Sequence, residues 1–338
     1  MNRFVVPSLL FAAACSGETT SALEPAAADA GNVIDTPAVE TPSTDAPVAE
    51  DGARPPETAP EIRCSGRRPQ PLDAEWKVLS SGIERRFDVH VPRSYDPTKP
   101  TPVVLNFHGF TSDKRQQDLL SRMNAKADRE GFVVVTPNGS GLQKSWNAGA
   151  CCGDAKDKNV DDVQFVRDLL DELEGRLCLD RRRIFATGMS NGGFFSHRLG
   201  CELGERIAAI APVAGVLGVG ACTPARPFPV MQFHGTGDAI VPFDGSTGLG
   251  FRSVKETIDL WRDRNGCTGA PTVTFASGDT KCETWSACSP GGEVVLCTID
   301  GGGHTWPGGL PVPAGGKTTT ALSATDAMWT FFQAHPLP

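Results

Sequence analysis

From about residue 85 onward the chain alternates short apolar runs with amphipathic stretches. Phe87 to Val91 (FDVHV) alternates apolar and polar residues, the period of a strand with one buried face. Val103 to Phe107 (VVLNF) and Phe132 to Val135 (FVVV) are near-continuous apolar runs ending at His108-Gly109 and Pro137, and they read as buried strands. Leu119 to Arg129 reads as a helix. Asp161 to Leu177 is a stronger one, with Val163, Val166, Leu169, Leu170 and Leu173 at helical spacing. Asp161 with Gln164 three places on has the form of a helix-start capping pair, which gives the Asp161-Asp162 doublet a structural reading. Ile184 to Thr187, Ile207 to Val213, Val230 to Phe233 and Val294 to Ile299 are further strands. Residues 253–264 and 323–334 are further helices. Short buried strands separated by helices predict a mostly parallel sheet covered on both faces, in one α/β domain over residues 61–338.

The first 60 residues break this pattern. Residues 1–15 carry Arg3, an apolar run from Phe4 to Ala14, then Cys15, the layout of a secretory signal. The small residues before Cys15 resemble a bacterial lipobox, which makes Cys15 the expected lipidation site. Ala12 stands where a lipobox usually has Leu, and ordinary secretion with release is the competing reading. Residues 16–60 hold nine acidic residues, one Arg and no aromatics, so they are expected to be a disordered, extended Ala/Pro/Thr-rich linker.

Charge then changes meaning. The chain carries −8, all of it attributable to that linker, and residues 61–338 sum to −1. The folded part has no basic excess to suggest nucleic acid. No second long apolar run suggests a membrane span, so any membrane association is expected through the lipid anchor alone. Eleven cysteines point to an extracellular or cell-envelope location. With Cys15 set aside, ten remain for five disulfides. Adjacent Cys151 and Cys152 are expected to bond to different partners, and Cys282 and Cys288 are spaced to close a local loop. No zinc-type spacing occurs, so no metal is expected.

The chemistry centres on Gly188-Met189-Ser190-Asn191-Gly192, a Gly-x-Ser-x-Gly sequence between an apolar β-prone run and a helix-compatible run. That context reads as a nucleophile elbow: a tight strand-to-helix turn exposes the Ser190 hydroxyl and leaves the Asn191 N–H facing a developing oxyanion. In a chain with 37 glycines the pattern alone is common, so the partners matter. The expected order is Ser, Asp or Glu, His. His304 lies in a glycine-rich loop after the strand ending near Ile299. His335 suits a helix end and His234 a structural place in a strand. Asp238 ends a strand in FHGTGD and is the expected acid, with Asp244 as runner-up and Asp300 too near His304 in sequence. The N–H of Phe110, after His108-Gly109, is the second expected oxyanion donor. Trp146 and Trp306 are candidate cleft walls that could stack on a phenolic acid or sugar ring; the competing reading is that each packs a loop. Phe194 and Phe195 are expected to fill the core.

The segments SWNAGACCG, NVDDVQFV, IFATGMSNGG, IAPVAG, FHGTGDAIVPFDG and DGGGHTWPGG, in this order, resemble the bacterial and fungal esterase family that includes secreted feruloyl esterases and polyhydroxybutyrate depolymerases. The likeness covers about residues 70–335. It implies an α/β-hydrolase fold, no cofactor, and hydrolysis of carboxylic esters through Ser190, Asp238 and His304. The expected partner is an ester substrate: a phenolic or acetyl ester of a polysaccharide, or a polyester oligomer. A surface-tethered binding module that has kept the fold and lost turnover is the reading outside enzymology.

Overall fold

In the computed structural model, which describes Cys64, Gln70 and residues 73–338, the apolar runs become strands whose alternate side chains feed two cores. The expected signal segment, Cys15 and the linker lie outside the described residues. The strands are β1 (Asp73–Ser80), β2 (Ile83–His90), β3 (Thr101–Phe107), β4 (Val133–Pro137), β5 (Leu179–Met189), β6 (Ala209–Val213), β7 (Val230–Gly235), β8 (Thr272–Ser277), β9 (Thr280–Trp285) and β10 (Val294–Ile299). They form one sheet in the order β1-β2-β4-β3-β5-β6-β7-β10-β9-β8. The run from β4 to β10 is parallel. The outer strands β1, β2, β9 and β8 pair antiparallel.

The helices are α1 (Lys114–Ser121), α2 (Met123–Glu130), α3 (Gly153–Asp157), α4 (Asp162–Arg176), α5 (Asn191–Glu202), α6 (Val254–Arg264) and α7 (Ala324–Ala334). On β3, Val103, Leu105 and Phe107 join one core while Val104 joins the other. The first core holds Leu169 and Leu170 of α4, Phe194, Phe195 and Leu199 of α5, and Ile258 and Trp261 of α6. The second holds Met123 and Ala127 of α2 with Met328, Trp329 and Phe332 of α7. This period-two division is why both sheet faces need helices and why the central strands read as unbroken apolar runs.

The helix expected over 119–129 is instead split into α1 and α2 at Arg122, which adopts φ 54°. The break follows from long-range contacts on Ser121. Its hydroxyl accepts from Asn106 Nδ2 of β3 at 3.0 Å, and its carbonyl accepts from Thr325 Oγ1 of α7 at 2.7 Å. Asp161 caps α4 by accepting from the Gln164 N–H at 2.9 Å, as expected. Asp162 does more than start the helix. It is buried, pairs with Arg85 Nη1 at 2.7 Å and accepts from the Asn147 N–H at 2.7 Å.

The ten described cysteines form five disulfides. Cys151 and Cys152 bond to each other across a cis peptide, so the expectation of separate partners is corrected. Cys282 pairs with Cys297 rather than Cys288, because β9 and β10 place those two directly opposite in register. Cys288 pairs with Cys267, Cys201 with Cys222, and Cys64 with Cys178.

Candidate active site

Ser190 stands at the turn from β5 to α5 with φ 56° and ψ −124°, a conformation that a side-chain-bearing residue adopts only when its surroundings enforce it. The enforcement is visible. The Ser190 N–H donates to Val213 O of β6 at 2.9 Å, and its carbonyl accepts from the Phe194 N–H at 2.9 Å. Although Ser190 occupies the cap position of α5, its hydroxyl makes no capping bond, so the turn leaves it available for chemistry. The flanking glycines act through close approach. A Cβ on Gly188 would lie 2.5 Å from Phe107 O, and one on Gly192 would lie 2.2 Å from the same oxygen. Only glycine lets the elbow lie against the last residue of β3. Gly109 lies against Ser190 in turn, since a Cβ there would be 3.3 Å from the Ser190 Cβ.

The loop after β3 is fixed by His108, whose Nδ1–H donates to Gly109 O at 2.7 Å and whose Nε2 accepts from the Gly139 N–H at 2.8 Å. Burial pushes the imidazole down to about 4, against the opposing pull of the Gly109 carbonyl, so it is neutral in this arrangement. Gly109 O also accepts from the Ser112 N–H at 3.1 Å. Phe110 follows directly, with its ring against Gly153. At the start of α5 the Asn191 side chain grips another loop. Its Oδ1 accepts from Trp146 N at 2.8 Å and its Nδ2 donates to Trp146 O at 3.0 Å. The two backbone N–H groups expected to face an oxyanion thus sit on segments tied down by side-chain bonds.

Asp238 follows β7 and His304 follows β10, and the structure brings them together. His304 Nδ1 lies 2.7 Å from Asp238 Oδ2. The other carboxylate oxygen, Oδ1, accepts from Ile240 N at 2.9 Å and Val241 N at 2.8 Å. Burial pushes the Asp238 carboxyl up, but the His304 bond, the neighbouring imidazoles and the Val241 N–H outweigh it and hold the carboxyl below its ordinary value. Both groups are nearly buried. Asp244 and Asp300 are exposed; Asp300 accepts from Thr236 Oγ1. Ser190, Asp238, His304 and Phe110 all follow the carboxyl ends of parallel strands, where such sheets place reactive groups.

Neither tryptophan is a cleft wall. Trp146 is fully buried, its indole N–H donating to His108 O at 2.9 Å and its ring stacked on Phe195 at 5.3 Å. It supports the loop before Phe110 from below. Trp306 is also fully buried, in the core beside α7, and donates to Thr325 Oγ1 at 3.0 Å. Both corrections have one cause: the apolar area of an indole is satisfied by packing beneath the loops that carry it. The sequence reading missed the roles of His108 and of the Asn191 side chain, whose only signal was adjacency to the Gly109 turn and to Ser190.

Three imidazoles are buried and held below their ordinary range chiefly by burial: His108 at about 4, His197 at about 3, and His234. Unfolding exposes them to protonation at ~6.5. The stability they contribute is therefore complete above about pH 6.5 and is lost as pH falls toward 4 and below. Melting temperature should decline over that interval in thermal scans of the full chain; a value constant from pH 7 to pH 4 would contradict the buried neutral assignment.

The fold is that of the α/β-hydrolases. Among solved structures, the acetyl xylan esterase from Aspergillus awamori matches with TM-score 0.53 and 13% identity, covering 77% of this chain and 99% of that one. By sequence the chain is similar to feruloyl and acetylxylan esterases. It is 35% identical to feruloyl esterase B of Piromyces equi over 234 residues, 65% of this chain and 42% of that protein. It is 28% identical to the bifunctional acetylxylan esterase/xylanase XynS20E of Neocallimastix patriciarum, covering 66% of this chain and 31% of that protein. Feruloyl esterase C of Emericella nidulans is 27% identical, with 76% and 88% covered. The chain thus spans less than half the length of the first two relatives. No protein-family profile matches it. Among the described residues, no helix is long and apolar enough to cross a membrane.

Proposed function

We propose that this chain is an exported serine carboxylic-ester hydrolase acting on feruloyl or acetyl esters of plant cell-wall polysaccharide. The observation that carries the reading is the 2.7 Å pairing of His304 with Asp238 at the same end of the sheet as the elbow serine, Ser190. The substrate class is taken from the names of the relatives, and export is supported by five disulfides. Cys15 is the residue we assign to lipid attachment.

In this mechanism His304 Nε2 takes the Ser190 proton as Ser190 Oγ attacks the ester carbonyl. The N–H groups of Phe110 and Asn191 receive the oxyanion, each worth roughly 3–4 kcal/mol of transition-state stabilisation in sites of this kind. The imidazolium then gives its proton to the departing alcohol, leaving an acyl-serine. Water, deprotonated by His304, attacks the acyl carbon, and the proton returns to Ser190 as the acid leaves. Asp238 holds His304 with its proton on Nδ1, so that Nε2 is free to accept. The reaction uses no cofactor.

The full chain should hydrolyse methyl ferulate or acetylated xylan and be labelled at Ser190 by a serine-directed phosphonate. Turnover confined to hydroxybutyrate oligomers would replace the substrate class with a polyester. No turnover and no labelling would leave a binding module and end the enzymatic reading.

A further inference from the structure

Beneath the acid loop runs a line of buried polar groups that the proposed chemistry does not use. Trp261 Nε1 of α6 donates to His197 Nδ1 of α5 at 3.0 Å. His197 Nε2 lies 3.0 Å from Gln232 Oε1 on β7. Gln232 Nε2 lies 2.8 Å from Gly215 O and 3.2 Å from His234 Nδ1, and His234 Nε2 lies 2.8 Å from Val241 O. The four side chains are buried.

The direction of this chain is fixed from both ends. An indole N–H only donates, so His197 Nδ1 must accept and its Nε2 must carry the proton. Gln232 therefore presents its oxygen to His197 and its two amide hydrogens to Gly215 O and His234 Nδ1. From the other end, the Val241 carbonyl only accepts, so His234 Nε2 must carry the proton. The two deductions meet at Gln232 without conflict. Both rings are neutral, in keeping with burial pushing each below its ordinary range.

The far end of the chain reaches the acid twice. Val241, whose carbonyl is held by His234, donates its own N–H to Asp238 Oδ1 at 2.8 Å. His234 Nε2 also faces Asp238 Oδ2 at 3.5 Å, the same oxygen that pairs with His304. The groups around the His234 ring are Asp238, His304, Gln232 with His197 beyond it, and the edge-on ring of Phe243.

We propose that His234 is a positioning residue for Asp238, locked as the Nε2–H tautomer by Trp261, His197 and Gln232, so that α6, α5 and β7 together set the orientation of the acid. The proposal rests on the reading of Ser190, Asp238 and His304 as a catalytic triad. Removing the His234 N–H edge leaves the Asp238 carboxylate less well solvated, which strengthens its hold on a protonated His304.

In the full chain, His234→Leu should lower kcat on a chromogenic acetate ester about tenfold with KM little changed, the scale of loss when an outer hydrogen-bond partner is removed. The acid limb of its kcat/KM profile should move to higher pH. His234→Gln, which keeps an amide N–H near Nε2, should recover most of both. Nitrogen NMR of the histidine-labelled wild-type chain should show His234 protonated at Nε2, and Gln232→Leu should relax that preference. A folded His234→Leu with unchanged kcat and acid limb overturns the proposal, as does an Nδ1-protonated His234. If His234→Leu does not fold, the wild-type tautomer decides. Full activity in Asp238→Asn would instead remove the triad reading, and it would leave the tautomer measurement standing.

Discussion

Ser190→Ala is expected to lose about a million-fold in kcat on a chromogenic acetate ester, the scale at which removal of a triad serine alone approaches removal of the whole triad. The size follows from what the hydroxyl is free to do. It caps nothing in α5, and the turn is held by backbone bonds to Val213 and Phe194 together with the flanking glycines, all of which alanine keeps. The variant should therefore fold and melt as the wild type does while losing its nucleophile. Measuring kcat and the thermal midpoint on the same preparation separates the two. Activity above one part in a thousand, after exclusion of wild-type carry-over, removes Ser190 from the reaction.

Asp238→Asn should cost about 10⁴-fold, the loss seen when a triad acid becomes an amide. Here the surroundings dictate how the amide must sit. Asp238 Oδ1 receives two backbone N–H groups, from Ile240 and Val241. Asparagine can satisfy them only with its oxygen, so its NH₂ group must face His304 Nδ1. That nitrogen becomes an acceptor, the ring proton moves to Nε2, and the base can no longer take the Ser190 proton. KM should change little, because the acid is buried away from any bound ester. An Asn variant within tenfold of wild type would mean that another carboxylate orients His304.

Much of the frame was legible because it is written in short-range signals. The apolar runs ending at Phe107, Phe233 and Ile299 announce buried strands, and the residues just past them are Phe110, Asp238 and His304. The capping signal at Asp161 and the helix over 323–334 follow the same logic of local period and side-chain chemistry. What escaped depends on partners distant in sequence, or on strands without an apolar face. The hairpin of β8 and β9 has an exposed outer strand and a two-residue turn at Gly278-Asp279, so its only signal is the glycine at φ 54°. β1 is the exception, since its Ala74, Trp76 and Val78 alternate with Asp73, Glu75 and Lys77 and face a core; it joins β2, legible from Phe87 onward, through Ser81-Gly82, both at positive φ. The break at Arg122 is imposed by Asn106 and Thr325, and the burial of Trp146 and Trp306 by residues far along the chain. Within the site, motif order led to the Asp238–His304 pair that the structure brings together. The groups that hold the site's loops, His108, the Asn191 amide and His234, were not legible, since no local motif announces which backbone groups each one meets.

The Cys64–Cys178 bridge ties the first described residue to the foot of β5. Cys178 immediately precedes β5, and Ser190 lies just past the other end of that strand. The stretch from Ile184 to Ser190 alone spans about 20 Å of extended chain. Cys64 consequently sits at the pole opposite the loops that carry Ser190, Asp238 and His304. A pull applied at Cys64 would load the disulfide and the foot of β5 before it reached the elbow.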